Sequence, residues 1–264
     1  MKLSEYKKAA ARHILLYGPP KSGKTAAYGK LADKYHLTIF DCEDSVKTLL
    51  NPALIDPATL QNIDLLHIPD KQTYPIAIET MLKLLKPGNS IVCYEHGKVN
   101  CPECKKNPAA VYTEVNLGEF RNDRDVFVID SWSQLCESAM NYIMRAQITA
   151  ENFDAKPGWD EYGKQGRILE RIGSMIQTAP FNIICVSHEM MLEMEDKSKR
   201  IVPISGTSNT SKVFAKYFDD VVYCSVDNGK HKFTSTTTGK PGVLAGSRAG
   251  VELKAGDSLH RLFE

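Results

Sequence analysis

GPPKSGKT, Gly18 to Thr25, follows an apolar run, RHILLYG, and opens a stretch with helical patterning from Thr25 to Tyr35. It fills the whole pattern G-x-x-x-x-G-K-[ST], and the strand before it and helix after it are the context that pattern requires. Glycines let the backbone wrap so that several N–H groups converge on one phosphate, and the following helix adds its positive end. Gly18, Pro19, Pro20, Lys21, Ser22, Gly23, Lys24 and Thr25 are therefore read as a nucleotide cradle. Lys24 supplies a point charge to the outer phosphates and Thr25 a hydroxyl for Mg²⁺.

Outward from that loop, DVFVIDS reads as a buried strand ending in Asp130, whose carboxylate is the expected second holder of Mg²⁺ through water. Further strands are expected at LTIFD, IDLLHI, FNIICVS, DDVVYCSV and KHKFTSTTT, with helices over Pro75–Leu85, Trp132–Ile148, Arg167–Gln177 and in VFAKYF. Short β-branched runs separated by helices indicate an α/β fold with a mostly parallel sheet covered on both faces. The chain from Gly239 carries weaker signals.

The sequence has 264 residues and a net charge of +1, enough for one sizeable core and without bulk attraction to nucleic acid. An anionic partner has to be met by a local patch. The N-terminal residues lack an apolar signal core, and no run reaches the roughly 20 apolar residues a membrane span needs. A cytoplasmic protein without membrane contact is expected. The seven cysteines are an odd number for a disulfide framework. Cys42, Cys136, Cys185 and Cys224 sit in apolar surroundings and read as packing residues.

IFDCEDS puts Glu43 just beyond a strand's carboxyl end, the edge where ligands bind in such sheets. From position alone, two readings stay open: a carboxylate that orients an attacking water, or a solvated turn with Asp41 or Asp44 capping the next helix. Taken in order, GPPKSGKT, FDCEDS, VIDSWSQL and NIICVSHE resemble the core motifs of RecA-like recombinases. The resemblance implies a RecA-like P-loop NTPase fold and maps the family's catalytic glutamate onto Glu43. It maps the apolar-Asp-Ser signature onto Asp130 and Ser131, and the γ-phosphate sensor onto His188, where bacterial RecA usually has Gln. A polar strand end without a task is the other reading of His188.

The resemblance runs from Arg12 to Val226 and is closest to the minimal bacteriophage ATPases of the Sak type, which anneal single strands. It implies ATP-dependent binding of single-stranded DNA for annealing or homologous recombination, with ATP and Mg²⁺ as cofactors. It further implies a homo-oligomer, ring or filament, with a single-strand-binding protein as a further candidate partner. Trp159 to Leu169 lies where the family has its first DNA-binding loop and the following helix. The segment with Lys197, Lys199 and Arg200 lies where the second runs. Trp159 and Tyr162 read either as base-stacking residues or as a core tryptophan and its neighbour. Such ATPases complete their sites with basic residues of a neighbouring protomer, for which Lys240 and Arg248 are the candidates, Arg248 first.

Residues 91–121 stand outside the resemblance and contain CYEHGKVNCPEC, that is C-x2-H-x4-C-x2-C. Cys93, His96, Cys101 and Cys104 read as the N/S donors of a closed structural Zn²⁺ knuckle, inserted into what otherwise reads as one ATPase domain over 1–264, with an exposed loop of reduced thiols as the other reading. Lys98, Lys105 and Lys106 are candidates to face nucleic acid. A small-molecule or nucleotide kinase shares the phosphate loop but needs an arginine-bearing lid, and no arginine-rich segment stands out. A nucleotide-switched regulatory ATPase that touches no DNA, and a helicase-like ring motor, are the other expectations.

Overall fold

The computed structural model describes residues 11–150, 152, 154–194, 197–237, 242–254 and 256–264, so that Lys240 lies outside the described residues. In chain order these form β1 (His13–Gly18), α1 (Lys24–Gly29), β2 (His36–Asp41), β3 (Ile63–His67), α2 (Ile76–Leu84), β4 (Ser90–Cys93) and β5 (Tyr112–Val115). There follow β6 (Asp125–Asp130), α3 (Trp132–Thr149), α4 (Trp159–Thr178), β7 (Asn182–Glu193), β8 (Lys199–Pro203) and α5 (Ser208–Val213). The last are β9 (Asp220–Asp227), β10 (Lys230–Thr234) and β11 (Gly246–Ser247). No helix among the described residues is long and apolar enough to cross a membrane.

β1 and β6 are buried along their whole length, which is why they read as unbroken apolar runs and not as alternations. Ile14 and Leu16 turn to a layer containing Ala27 and Tyr28 of α1. Leu15 and Tyr17 turn to the opposite layer, with Met81 of α2, Trp132 of α3 and Ile172 of α4. Six strands run parallel in the order β9-β1-β7-β6-β2-β3, and β10 joins β9 antiparallel. This is an α/β, mostly parallel sheet flanked by helices, the architecture of a RecA-like P-loop NTPase. The order inserts β7 between the strand of the phosphate loop and the strand of Asp130. Three candidate site segments thus leave the sheet side by side.

Between α2 and β6 the chain forms a separate two-stranded sheet, β4 with β5. Three expectations about elements need correction. The helix expected over Thr25–Tyr35 is α1 followed by a tighter 3₁₀ turn at Lys30–Asp33. The helix expected from Arg167 begins eight residues earlier, so Trp159 to Gly166 is helix and not a loop. Asp160 and Glu161 complement the positive end of that helix, and Glu161 reaches back to the Gly158 N–H at 3.0 Å. The strand of FNIICVS does not stop at His188. β7 runs on to Glu193 because β8 pairs with it antiparallel.

The chain's last residues, whose pattern is weak in the sequence, also join the core. Leu259 and Leu262 are buried in the α1 layer, and the Phe263 ring packs against Tyr35 at 5.1 Å. His260 Nε2 sits 2.6 Å from Asp33 Oδ1. Leu262→Ala is expected to cost about 2–4 kcal/mol of unfolding free energy, the usual range for a buried Leu truncation. Denaturant unfolding measures it, and an unchanged midpoint would show that this segment is not part of the core.

Candidate nucleotide-binding and hydrolytic site

The loop from Gly18 to Gly23 leaves β1 at its carboxyl end. Gly18 has φ +152°, and a Cβ there would lie 2.0 Å from the Cys224 carbonyl oxygen; Gly23 has φ +88° and would meet the His231 ring at 2.7 Å. Both positions therefore demand glycine on conformation and on space. His231 of β10 also places Nδ1 3.0 Å from the Ser22 carbonyl oxygen, so the edge hairpin braces the loop from outside. Lys24 is buried, and its ammonium donates to the carbonyls of Gly18 at 3.0 Å and Pro19 at 2.8 Å. Burial lowers the Lys24 pKa, while the charges of Asp130 and Glu43 act against that shift.

Thr25 Oγ1 donates to Asp130 Oδ2 at 3.3 Å, joining the loop to β6. The same carboxylate oxygen accepts Tyr28 Oη at 2.8 Å and Ser45 Oγ at 2.7 Å. Burial pushes the Asp130 carboxyl up to about 6, against the hydrogen bonds of Ser45 and Tyr28, with Glu43 and Asp41 adding like charge. Asp41 is directly opposite Asp130 across β2 and β6. It is wholly buried; Oδ1 accepts the N–H groups of Glu43 and Ser45 at 3.2 Å each, while Oδ2 has no hydrogen-bond partner. A hydroxyl, a carboxylate and a second, incompletely satisfied carboxylate beside them form a hard-oxygen set that fits Mg²⁺. Thr25 and Asp130 would hold the ion, which supplies charge neutralisation to a bound triphosphate.

Glu43 follows β2 by two residues and faces β6 and β7. Its Oε1 accepts the Ser131 hydroxyl and its Oε2 lies 3.4 Å from His188 Nε2. Burial pushes the Glu43 carboxyl up, but the hydrogen bonds from His188 and Ser131, with the Lys24 charge, hold it below the ordinary glutamate range. His188 is the last residue of β7 paired with β1, opposite Gly18. Its N–H donates to Ser133 Oγ at 2.8 Å and its carbonyl accepts from Ile204 N at 2.8 Å. Ser131 also caps α3, accepting from Gln134 N at 3.2 Å, so one hydroxyl is shared between a helix start and the candidate base.

The structure thus brings Lys24, Thr25, Asp130, Glu43 and His188 to one end of the sheet. Arg248 does not join them. It follows β11, which pairs with β9 at Val221 and Asp220, level with Ile14 of β1. That is roughly 13 Å down the strands from Gly18 at 3.3 Å per residue. Its guanidinium is engaged by Asp219 at 3.3 Å and the Lys216 carbonyl at 3.1 Å. Sequence reasoning missed Tyr28, Ser45 and Asp41. Tyr28 carried a legible signal, standing three residues after Thr25 on the same face of a helix.

The segments expected to meet DNA lie beside this site. A cleft of about 490 Å³ lined by Glu43 and His188 is also lined by Tyr162 and Gln165 of α4 and by Ile204 and Gly206. Trp159, at the start of α4, is 93% exposed, which removes the reading of a core tryptophan. Lys199 and Arg200 stand on β8, and the turn between β7 and β8 carries Lys197. The second segment is a hairpin there, not an open loop.

The Cys/His segment lies apart. One ligand atom from each of Cys93, His96, Cys101 and Cys104 falls within 4.8 Å of the others, a donor set able to hold a metal ion.

The AAA domain family matches residues 10–249 of the chain. No curated protein matches it in sequence. Among solved structures it is similar to a prototypical ATPase from the type III secretion system of pathogenic bacteria, at 11% identity and a TM-score of 0.42. The similarity covers 81% of this chain and 52% of that one, so the chain spans about half that ATPase's length.

Proposed function

We propose that this protein, which belongs to the AAA domain family, hydrolyses ATP to control its hold on single-stranded DNA, for annealing or homologous recombination. The observation that carries this reading is the continuity of β7. His188 pairs with Glu43 at 3.4 Å, and the same strand continues into the hairpin bearing Lys197, Lys199 and Arg200. A change in the charge facing Glu43 and His188 acts at the base of that hairpin.

In the cycle we infer, Lys24 and the loop backbone bind the phosphates, and Glu43 accepts the proton of an attacking water. His188, held to Glu43 before hydrolysis, changes partner when γ-phosphate leaves, and β7 carries that change to the cleft and hairpin. ATP and Mg²⁺ are the cofactors. The basic hairpin meets phosphates and the exposed Trp159 offers a stacking face.

Oligomers in which a neighbour completes the site are part of the proposal, and a single-strand-binding protein is a candidate partner. For Arg248 to act in trans it has to exchange Asp219 for a neighbour's phosphate, and Arg248→Ala with undiminished turnover in the oligomer would exclude it.

ATPase rates with and without single-stranded DNA, together with DNA binding in a non-hydrolysable ATP analogue, test the reading. Stimulation by DNA and analogue-dependent binding are expected. Hydrolysis indifferent to DNA and no binding with the analogue would remove it. Trp159→Ala should weaken binding of single strands by about tenfold, the low side of the 1–3 kcal/mol a stacked base contributes. Fluorescence anisotropy of a labelled oligonucleotide measures it, and an unchanged affinity excludes Trp159 from the contact.

A further inference from the structure

We propose that Cys93, His96, Cys101 and Cys104 hold one Zn²⁺ in a closed S₃N site, and that this ion is the interior of the ligand-bearing end of the β4–β5 arm. His96 Nδ1 lies 3.2 Å from Cys104 Sγ and 3.7 Å from Cys101 Sγ, and all four ligand atoms lie within 4.8 Å of one another. Tetrahedral zinc with its usual Zn–S and Zn–N lengths has ligand-to-ligand edges of roughly 3.5–3.8 Å. The four atoms surround a point at the right scale, with Nδ1 and not Nε2 as the imidazole donor.

At its ligand end the arm has little else to fold around, since its apolar strand residues Val92 and Val115 turn into the main core. Its buried cluster consists of Cys93, Cys101 and Cys104 with Ala110 beside them. Around that end Tyr94, Val111 and Tyr112 are exposed and add nothing to it. Two four-residue strands make a hairpin that is marginal by itself, and small units without an apolar core depend on a staple. The backbone is shaped for one. Gly97 N donates to the Cys93 carbonyl at 2.9 Å and Lys105 N to the Cys101 carbonyl at 3.1 Å, folding both ligand pairs into tight turns.

Binding would release the thiol protons and leave three thiolates and a neutral imidazole around a dication, a net charge of −1 near Lys98, Lys105 and Lys106. All four positions being protein ligands leaves no place for a reacting water, so the ion is structural.

The ion also has a task in the fold. His67 Nδ1 sits 3.0 Å from the Tyr94 carbonyl, Tyr74 donates to the His96 carbonyl at 3.1 Å and Thr80 to the Gly97 carbonyl at 2.6 Å. Thr113 Oγ1 donates to the Leu65 carbonyl of β3 at 3.0 Å. The core grips the first ligand turn, and the arm lies along β3, the last strand of the parallel sheet. Zinc thereby fixes a cover over an edge that would otherwise invite pairing with other chains.

The test is metal analysis of the purified full chain and its variants, with Co²⁺ as spectroscopic probe. One Zn²⁺ per chain is expected, and replacement by one equivalent of Co²⁺ should give tetrahedral visible bands with thiolate charge transfer. Cys101→Ser and Cys104→Ser should lower metal content at least about tenfold. His96→Cys, which keeps four soft donors, and Cys136→Ser, a buried thiol outside the arm, should each keep one ion. Zinc-free wild type that takes up no Co²⁺ overturns the proposal, as does full zinc in Cys101→Ser, iron in place of zinc, or a disulfide among the three cysteines. Because wild-type stoichiometry and the Co²⁺ spectrum need no variant, misfolding of a serine mutant leaves the test intact.

Discussion

Lys24→Ala is expected to cripple ATP turnover, with kcat/KM falling by about 100- to 1,000-fold, the cost of removing one preorganised electrostatic partner of a developing charge. The side chain is buried, with Nζ held by the Gly18 and Pro19 carbonyls inside the loop that would wrap the phosphates. Those carbonyls are weaker partners than a triphosphate, so the ammonium is placed beforehand and loses little on exchanging them. Alanine removes both the charge and the inner support of the loop. Lys24→Arg is not a rescue, since a planar fork does not fit where a compact ammonium sits between two carbonyls. Nucleotide binding by calorimetry and turnover by phosphate release check the prediction, with a thermal melt confirming that the variant is folded. Turnover near wild type would show that the loop is not the phosphate cradle.

This site was legible in the sequence as far as its chemistry is local in the chain. The loop's eight residues carry their own strand and helix, and Asp130 ends a strand that is apolar because both its faces are covered. What was not legible depends on partners distant in sequence. β7 continues past His188 only because β8 lies against it, and nothing in HEMMLE distinguishes a strand from a loop without that partner. α4 begins at Trp159 with a polar, charged turn, and its apolar periodicity starts only at Ile168 and Leu169. The helix start therefore looked like the loop that the family resemblance led one to expect. Asp41 read equally well as a turn residue, and it does hold the turn through Ser45. Its second role, a buried oxygen left without a partner opposite Asp130, exists only once β2 and β6 are neighbours. Leu259 and Leu262 form a short buried edge against α1 that no repeat of apolar residues announces.

Glu43→Gln is expected to keep nucleotide binding while lowering turnover by about 100- to 10,000-fold, the span attributed to a positioned general base. The carboxylate is held ionised: burial pushes its pKa up, but His188, Ser131 and Lys24 more than offset that and leave it below the ordinary glutamate range. It is thus a base throughout neutral pH, and activity should fall only on the acid side of that range. Glutamine still accepts from Ser131 and still fills the space, yet cannot take a proton, so the loss belongs to the chemical step. The pairing with His188 makes a second, independent statement. In His188→Ala the largest lowering influence is gone and burial acts with less opposition, so the Glu43 carboxyl rises and the acid limb of the pH–rate profile moves to higher pH. The same sign holds for stability. A lowered carboxyl contributes stability above its unfolded pKa and loses it as pH falls through the folded value, so His188→Ala removes stability at neutral pH. A histidine that only packs at a strand would change the melting point without moving that limb. Normal turnover in Glu43→Gln removes Glu43 as the base, and an unmoved limb in His188→Ala removes the coupling on which the proposed switch depends.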